Sequence, residues 1–94
     1  MDLQALRHQI DSIDSQLVSL FTQRMEIAGK IADCKKSAGL PVFVPEREQE
    51  KLNSVEALAG DAMALYVRAL YARIFELSRD YQERCIQADC EDNR

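Results

Sequence analysis

Leu3, Leu6, Ile10, Ile13, Leu17 and Leu20 succeed one another at alternating steps of three and four, and the line resumes at Ile27 and Ile31. This is the apolar stripe of one continuous helix. Helical patterning from about Leu3 to Lys36 makes a rod of roughly 50 Å, longer than a compact globule of this chain length is wide. So short a chain cannot cover such a stripe by itself. The pattern therefore predicts an all-α fold that completes its core by antiparallel association with a second copy, as an obligate homodimer.

The rest of the chain supplies two shorter helices. In "KKSAGLPVFVPEREQEK" Gly39 offers a helix stop, Pro41 forbids continuation, and Pro45 suits a first helical position. Helix two is expected from about Pro45 to Ala59. Gly60-Asp61 then provides a stop and an N-cap for helix three, from about Ala62 to Ile86. The helical domain is thus residues 1–86, and "QADCEDNR" (87–94) reads as a polar tail. Val44 is a poor N-cap for helix two, because it has no side-chain acceptor, so first-turn N–H groups are left for solvent or a ligand.

Charge and composition narrow the function. A net charge of −4 with no Lys/Arg cluster argues against a nucleic-acid partner, so any anion site must be a local pocket. No stretch is apolar and long enough for a bilayer, and the start at Asp2-Leu3 lacks the basic head and apolar run of a signal peptide, which implies a cytoplasmic protein with no membrane partner. Cys34, Cys85 and Cys90, with His8 as the sole histidine, fit neither a disulfide framework nor a metal site and read as reduced thiols.

Arg24 interrupts the stripe of helix one, and apolar residues continue beyond it. A buried unpaired charge costs several kcal/mol, so Arg24 demands a partner, and Glu48, four residues before Leu52 on the apolar face of helix two, is a candidate. On helix three the line through Tyr71 and Ile74 continues to Ser78 and Gln82. Lys35 lies eleven residues beyond Arg24, about 16 Å along the helix and about 20° around it, so both cations lean over one span. Arg7 is roughly 25 Å and about 100° from Arg24 on the same helix, so only an antiparallel partner chain brings an Arg7 to that span.

Each residue also has a plainer reading. Glu48 suits the N-terminal dipole of helix two and Lys35 the C-terminal dipole of helix one. Ser78 and Gln82 suit interhelical hydrogen bonds, and Arg7 a surface ion pair. Taken together, Arg24, Lys35, Glu48 and a partner's Arg7 leave about two positive charges, which a small dianion would neutralise. Two arginine forks match two carboxylates, Lys35 and Gln82 offer donors to a central oxygen, and Glu48 can accept from a hydroxyl. No nucleophile has a base beside it, and neither a metal cluster nor a glycine-rich loop is present. The set points to binding, or to a reaction with no proton transfer, covalent intermediate or cofactor.

The segments "LRHQIDSIDSQLVSLFTQRMEIAGKIADCK", "VPERE" and "ELSRDYQ" resemble the all-helical (AroQ-class) bacterial chorismate mutases from about Leu3 to Gln82. The resemblance implies an intertwined helical dimer with two active sites that rearranges chorismate to prephenate in phenylalanine and tyrosine biosynthesis. It implies that Arg24 and the neighbouring chain's Arg7 clamp the carboxylates with help from Ser78. Lys35 and Gln82 contact the ether oxygen, Glu48 holds the ring hydroxyl, and Arg47 acts nearby. The family often has Asp at the position of Val44, where the backbone N–H is the part expected to meet the hydroxyl. Lyases of the same fold, which remove pyruvate from isochorismate, are the nearest alternative, and the Glu48–Ser78 pair favours the mutase because the resembling lyases lack it. A non-catalytic helical dimer that binds another protein is the alternative of a different class; it leaves Arg24, Lys35 and Glu48 on inward stripes unexplained.

Overall fold

A computed structural model describes residues 2–92, and the side chains of residues 2–88. It is all-α: α1 spans Leu3–Ala38, α2 Pro45–Ala59 and α3 Ala64–Asp92. Helix α1 begins at Asp2, whose carboxylate accepts from the Gln4 N–H at 3.2 Å. It ends where Gly39 turns left-handed at φ 68°, a region open to glycine at little steric cost. There Leu40 N–H returns to the Lys35 carbonyl at 2.8 Å and Gly39 N–H to that of Lys36 at 3.2 Å, satisfying carbonyls that the helix leaves free.

Helix α2 keeps its predicted bounds, with Pro45 in its first turn and no side-chain cap at Val44. Helix α3 departs from the pattern at both ends. Met63 N–H closes a turn on the Gly60 carbonyl at 3.2 Å, and the helical ladder starts with Val67 N–H on the Met63 carbonyl at 2.9 Å. Asp61 therefore sits inside the turn and is not the cap. At the other end α3 runs past Ile86 to Asp92, because "QADCED" contains neither glycine nor proline to stop it. The side chain of Cys90 lies outside the described residues; Cys34 and Cys85 are free thiols.

Helix α3 packs against both α1 and α2, which make no close backbone contact with each other. Arg24 meets Tyr71 and Phe75, and Gly29 meets Tyr81 and Cys85, so α1 and α3 run in the same direction. Glu48 meets Arg79 and Glu56 meets Arg68, so α2 runs against them. The buried residues of α1 are Ala28 and Ala32, small enough to let α3 approach closely. A Cβ on Gly29 between them would stand 3.4 Å from Tyr81 Cε2.

Among the described residues the buried apolar set is Ala28, Ala32, Val55 and Phe75, too few to hold a chain of this length. Leu3, Leu6, Ile10, Ile13, Leu17 and Leu20 remain between 38% and 61% exposed. The molecule measures 59 × 28 × 14 Å with a radius of gyration of 16.8 Å, against about 12 Å for a compact domain of this length. Every residue of the first half of α1, from Leu3 to Leu20, is exposed, which leaves that half as a bare arm. No helix of the described residues is long and apolar enough to cross a membrane.

Candidate active site

Where α1 and α3 lie side by side and the connector from Gly39 to Val44 crosses to α2, a cavity of about 490 Å³ opens. Its lining includes Arg24, Lys35, Val44, Glu48, Ser78 and Gln82, with Arg47 at its exposed rim. Of the residues singled out in the sequence, Arg7 alone stands elsewhere, exposed on the arm of α1. Ile27, Ile31 and Phe75 supply apolar wall between the charged groups.

Each polar side chain is held differently. Arg24 is half-buried, its guanidinium 5.8 Å from the centroid of the Tyr71 ring and 5.7 Å from that of Phe75. Those rings meet edge to face at 6.0 Å and 71°. The faces of two aromatics attract the cation without occupying its donors. Glu48, the candidate counter-ion of Arg24 in the sequence, pairs elsewhere. Its Oε1 accepts from Arg79 Nη1 at 2.5 Å, and no carboxylate among the described residues pairs with Arg24. The physical reason lies in the antiparallel run of α2 on α3, which sets Glu48 beside Arg79 while Arg24 faces the Tyr71–Phe75 turn of the same helix.

Lys35 Nζ donates to the Val42 carbonyl at 2.7 Å, tying the last turn of α1 to the connector. Arg47 reaches out to Glu50 at 4.0 Å on the surface of α2. At the N-terminus of α2 the N–H groups of Arg47 and Glu48 both bond the Val44 carbonyl, at 3.1 and 3.2 Å. No acceptor among the described residues takes the Val44 N–H.

Ser78 and Gln82 are each only 7% exposed. Gln82 Nε2 donates to Ser78 Oγ at 3.0 Å, and Gln82 Oε1 is buried with no hydrogen-bond partner. A buried amide oxygen without a partner costs about 1–3 kcal/mol. Core packing alone gives no reason to keep an amide there. Two further cations line the cavity that the sequence reading did not single out, Lys51 on α2 and Arg79 on α3. Lys51 had a signal, being one helical turn beyond Glu48. Arg79 had less, since its role depends on which face of α3 meets α2. With them the lining holds five cations, Arg24, Lys35, Arg47, Lys51 and Arg79, against the single carboxylate of Glu48. The excess of positive charge is larger than the sequence implied, and it sits within one chain.

Residues 6–83 match the sequence profile of the family described as chorismate mutase type II. The chain belongs to that family. Among curated proteins, the T-protein of Haemophilus influenzae is 34% identical over 80 residues, covering 74% of this chain and 21% of the relative. The T-protein of Enterobacter agglomerans is 45% identical over 53 residues, 56% of this chain and 14% of that protein. The chain thus spans only a seventh to a fifth of the T-proteins it matches. The chorismate mutase of Methanocaldococcus jannaschii is 36% identical over 59 residues, 63% of this chain and 60% of that enzyme. Among solved structures, a conserved hypothetical protein from Pyrococcus furiosus superposes with a TM-score of 0.72 at 38% identity, covering 85% of this chain and 93% of the other.

Proposed function

We propose that this type II chorismate mutase domain catalyses the rearrangement of chorismate to prephenate, as a homodimer in the cytoplasm. One observation carries the reading: Arg24, Lys35, Val44, Arg47, Glu48, Ser78 and Gln82, chosen from the sequence for this chemistry, line a single cavity. The bare apolar arm of α1 supports the homodimer, since a second copy is the partner whose own stripe matches it. Paired antiparallel, the arm brings Arg7 to the other subunit's cavity as a second fork for the dianion. Free thiols such as Cys34 and Cys85 suit a reducing compartment.

Catalysis follows from what these groups offer. The substrate must fold from an extended into a chair-like geometry before its C–O bond breaks and its new C–C bond forms. Arg24, with help from Ser78 in the same cavity, and the partner subunit's Arg7 grip the two carboxylates and hold the folded shape, which removes the entropic part of the barrier. As the C–O bond lengthens, negative charge grows on the ether oxygen. Lys35 and Gln82 donate there more strongly in the transition state than in the ground state. Lys35 is already fixed by Val42, so it need not reorganise. Turning the Gln82 amide about its last bond lets the Ser78 hydroxyl donate to Oε1 and frees Nε2 for the ether oxygen, which would give the unpartnered oxygen a bond. A millionfold acceleration requires about 8 kcal/mol, of which one such donor accounts for about 3. Glu48 and the Val44 N–H suit the ring hydroxyl, which donates to one and accepts from the other.

The test is direct. Purified protein is given chorismate, with prephenate followed against time, and isochorismate, with salicylate followed, for the wild type beside Arg24→Ala. Prephenate formation lost in the variant is expected. Salicylate as the principal product would favour the lyase, and no turnover of either would favour a binding module.

A further inference from the structure

Arg79 is a cavity residue that the chemistry above leaves unassigned. Its guanidinium is held on two sides: Nη1 donates to Glu48 Oε1, and its central carbon lies 4.7 Å from the centroid of the Phe43 ring. Phe43 belongs to the connector, next to Val44. A planar cation fixed by a carboxylate and an aromatic face has little rotamer freedom left. The Glu48 and Arg79 side chains are 22% and 29% exposed, so the pair is better shielded than a surface bridge. A mere tie between α2 and α3 is already supplied farther along by Arg68 and Glu56, which meet at 2.7 Å outside the cavity.

We infer that Arg79 is a positioning residue for Glu48, and that through it the site selects substrates carrying a ring hydroxyl. The inference rests on the mutase reading and deepens it. Arg79 occupies Oε1 and so fixes the carboxylate plane, which leaves Oε2 as the acceptor for the hydroxyl hydrogen. The Val44 N–H, on the same cavity wall, is the matching donor to the hydroxyl oxygen. A hydroxyl thus meets an acceptor and a donor that both stand ready, whereas a ring without one leaves both unpaired. The hydroxyl takes no part in bond making or breaking, so its grip is equal in ground and transition states. Loss of that grip raises KM and spares kcat.

The experiment compares wild type, Arg79→Met and Arg79→Lys on chorismate and on its analogue lacking the ring hydroxyl, with melting temperature as the check on folding. Arg79→Met is expected to raise KM for chorismate about ten- to a hundredfold with kcat little changed, and to leave the hydroxyl-free analogue unaffected. Arg79→Lys recovers part of the loss, and it carries the comparison if the methionine variant does not fold. In a Glu48→Gln background, Arg79→Met should cost nothing further. Equal losses on both substrates would overturn the inference, reducing Arg79 to one more positive charge drawing in a dianion. No loss on chorismate would reduce it to a tie between helices. A wild type that leaves chorismate untouched would fell the mutase reading itself, visibly, before any substitution is made.

Discussion

Gln82 and Ser78 are one turn apart on α3 and both buried, yet their 3.0 Å hydrogen bond leaves the Gln82 carbonyl oxygen with nothing to accept. A neutral donor held in a water-poor cavity beside a developing oxyanion is worth most at the transition state. Gln82→Ala is therefore expected to lower kcat by about a hundred- to a thousandfold. Rates at saturating chorismate check it, and an unchanged kcat would remove Gln82 from the reaction.

The same position allows a test by pH. Gln82→Glu introduces an acid that donates to the ether oxygen only while protonated, and that repels the substrate once ionised. Activity should be present at low pH and disappear as pH rises through the pKa of the new carboxyl, while the wild type shows no such loss there. A variant whose profile follows the wild type would contradict the assigned contact.

Arg24 faces two aromatic rings and the cavity without a carboxylate partner. Its removal should therefore hurt activity far more than stability. Arg24→Ala is expected to reduce kcat/KM by at least about a hundredfold. Unfolding free energy should shift by only about 1 kcal/mol, the scale of the lost ring contacts. Denaturant titration beside steady-state kinetics separates the two effects.

The arm of α1 gives a prediction about assembly. Ile13 and Leu17 are each about half exposed in the single chain and would lie inside the antiparallel pair. A charge there would be buried without a partner, so Leu17→Glu should abolish the dimer and the activity together. Sedimentation equilibrium reads the first and the prephenate assay the second. A dimeric, active Leu17→Glu protein would mean that the subunits meet through another face.

Arg68 and Glu56 join α3 to α2 at 2.7 Å, away from the cavity and part-exposed. Screening by solvent limits such a pair to about 0.5–1 kcal/mol. Arg68→Ala should lower stability by about that amount and leave kcat and KM unchanged. A large loss of activity would imply that the tilt of α2 on α3 shapes the cavity.

Much of the fold was legible because helices announce themselves by spacing. The stripe from Leu3 to Ile31, the stop at Gly39 and the start at Pro45 are local signals, and α1 and α2 lie where the pattern set them. Asp61 misled, because an N-cap and a turn residue look alike until the neighbouring carbonyls are placed. The end of α3 was missed because a polar run without a helix breaker is silent about where helix stops. At the site, inward-facing polar side chains were conspicuous as interruptions of an apolar stripe, which is how Arg24, Glu48 and Gln82 were found. Which charge meets which was not legible: pairing Glu48 with Arg79 requires the antiparallel run of α2 on α3, a relation between elements that no spacing within one helix encodes.

If the bare first half of α1 is the seam of a homodimer, abundance becomes a control on the reaction. On the homodimer reading each catalytic centre borrows an arginine from another polypeptide, so output follows the population of pairs. In dilute solution, where single chains predominate, halving the protein leaves about a quarter of the pairs, by mass action. Specific activity should then fall with dilution even though every molecule is chemically intact, and two copies tethered in tandem would be spared that decline.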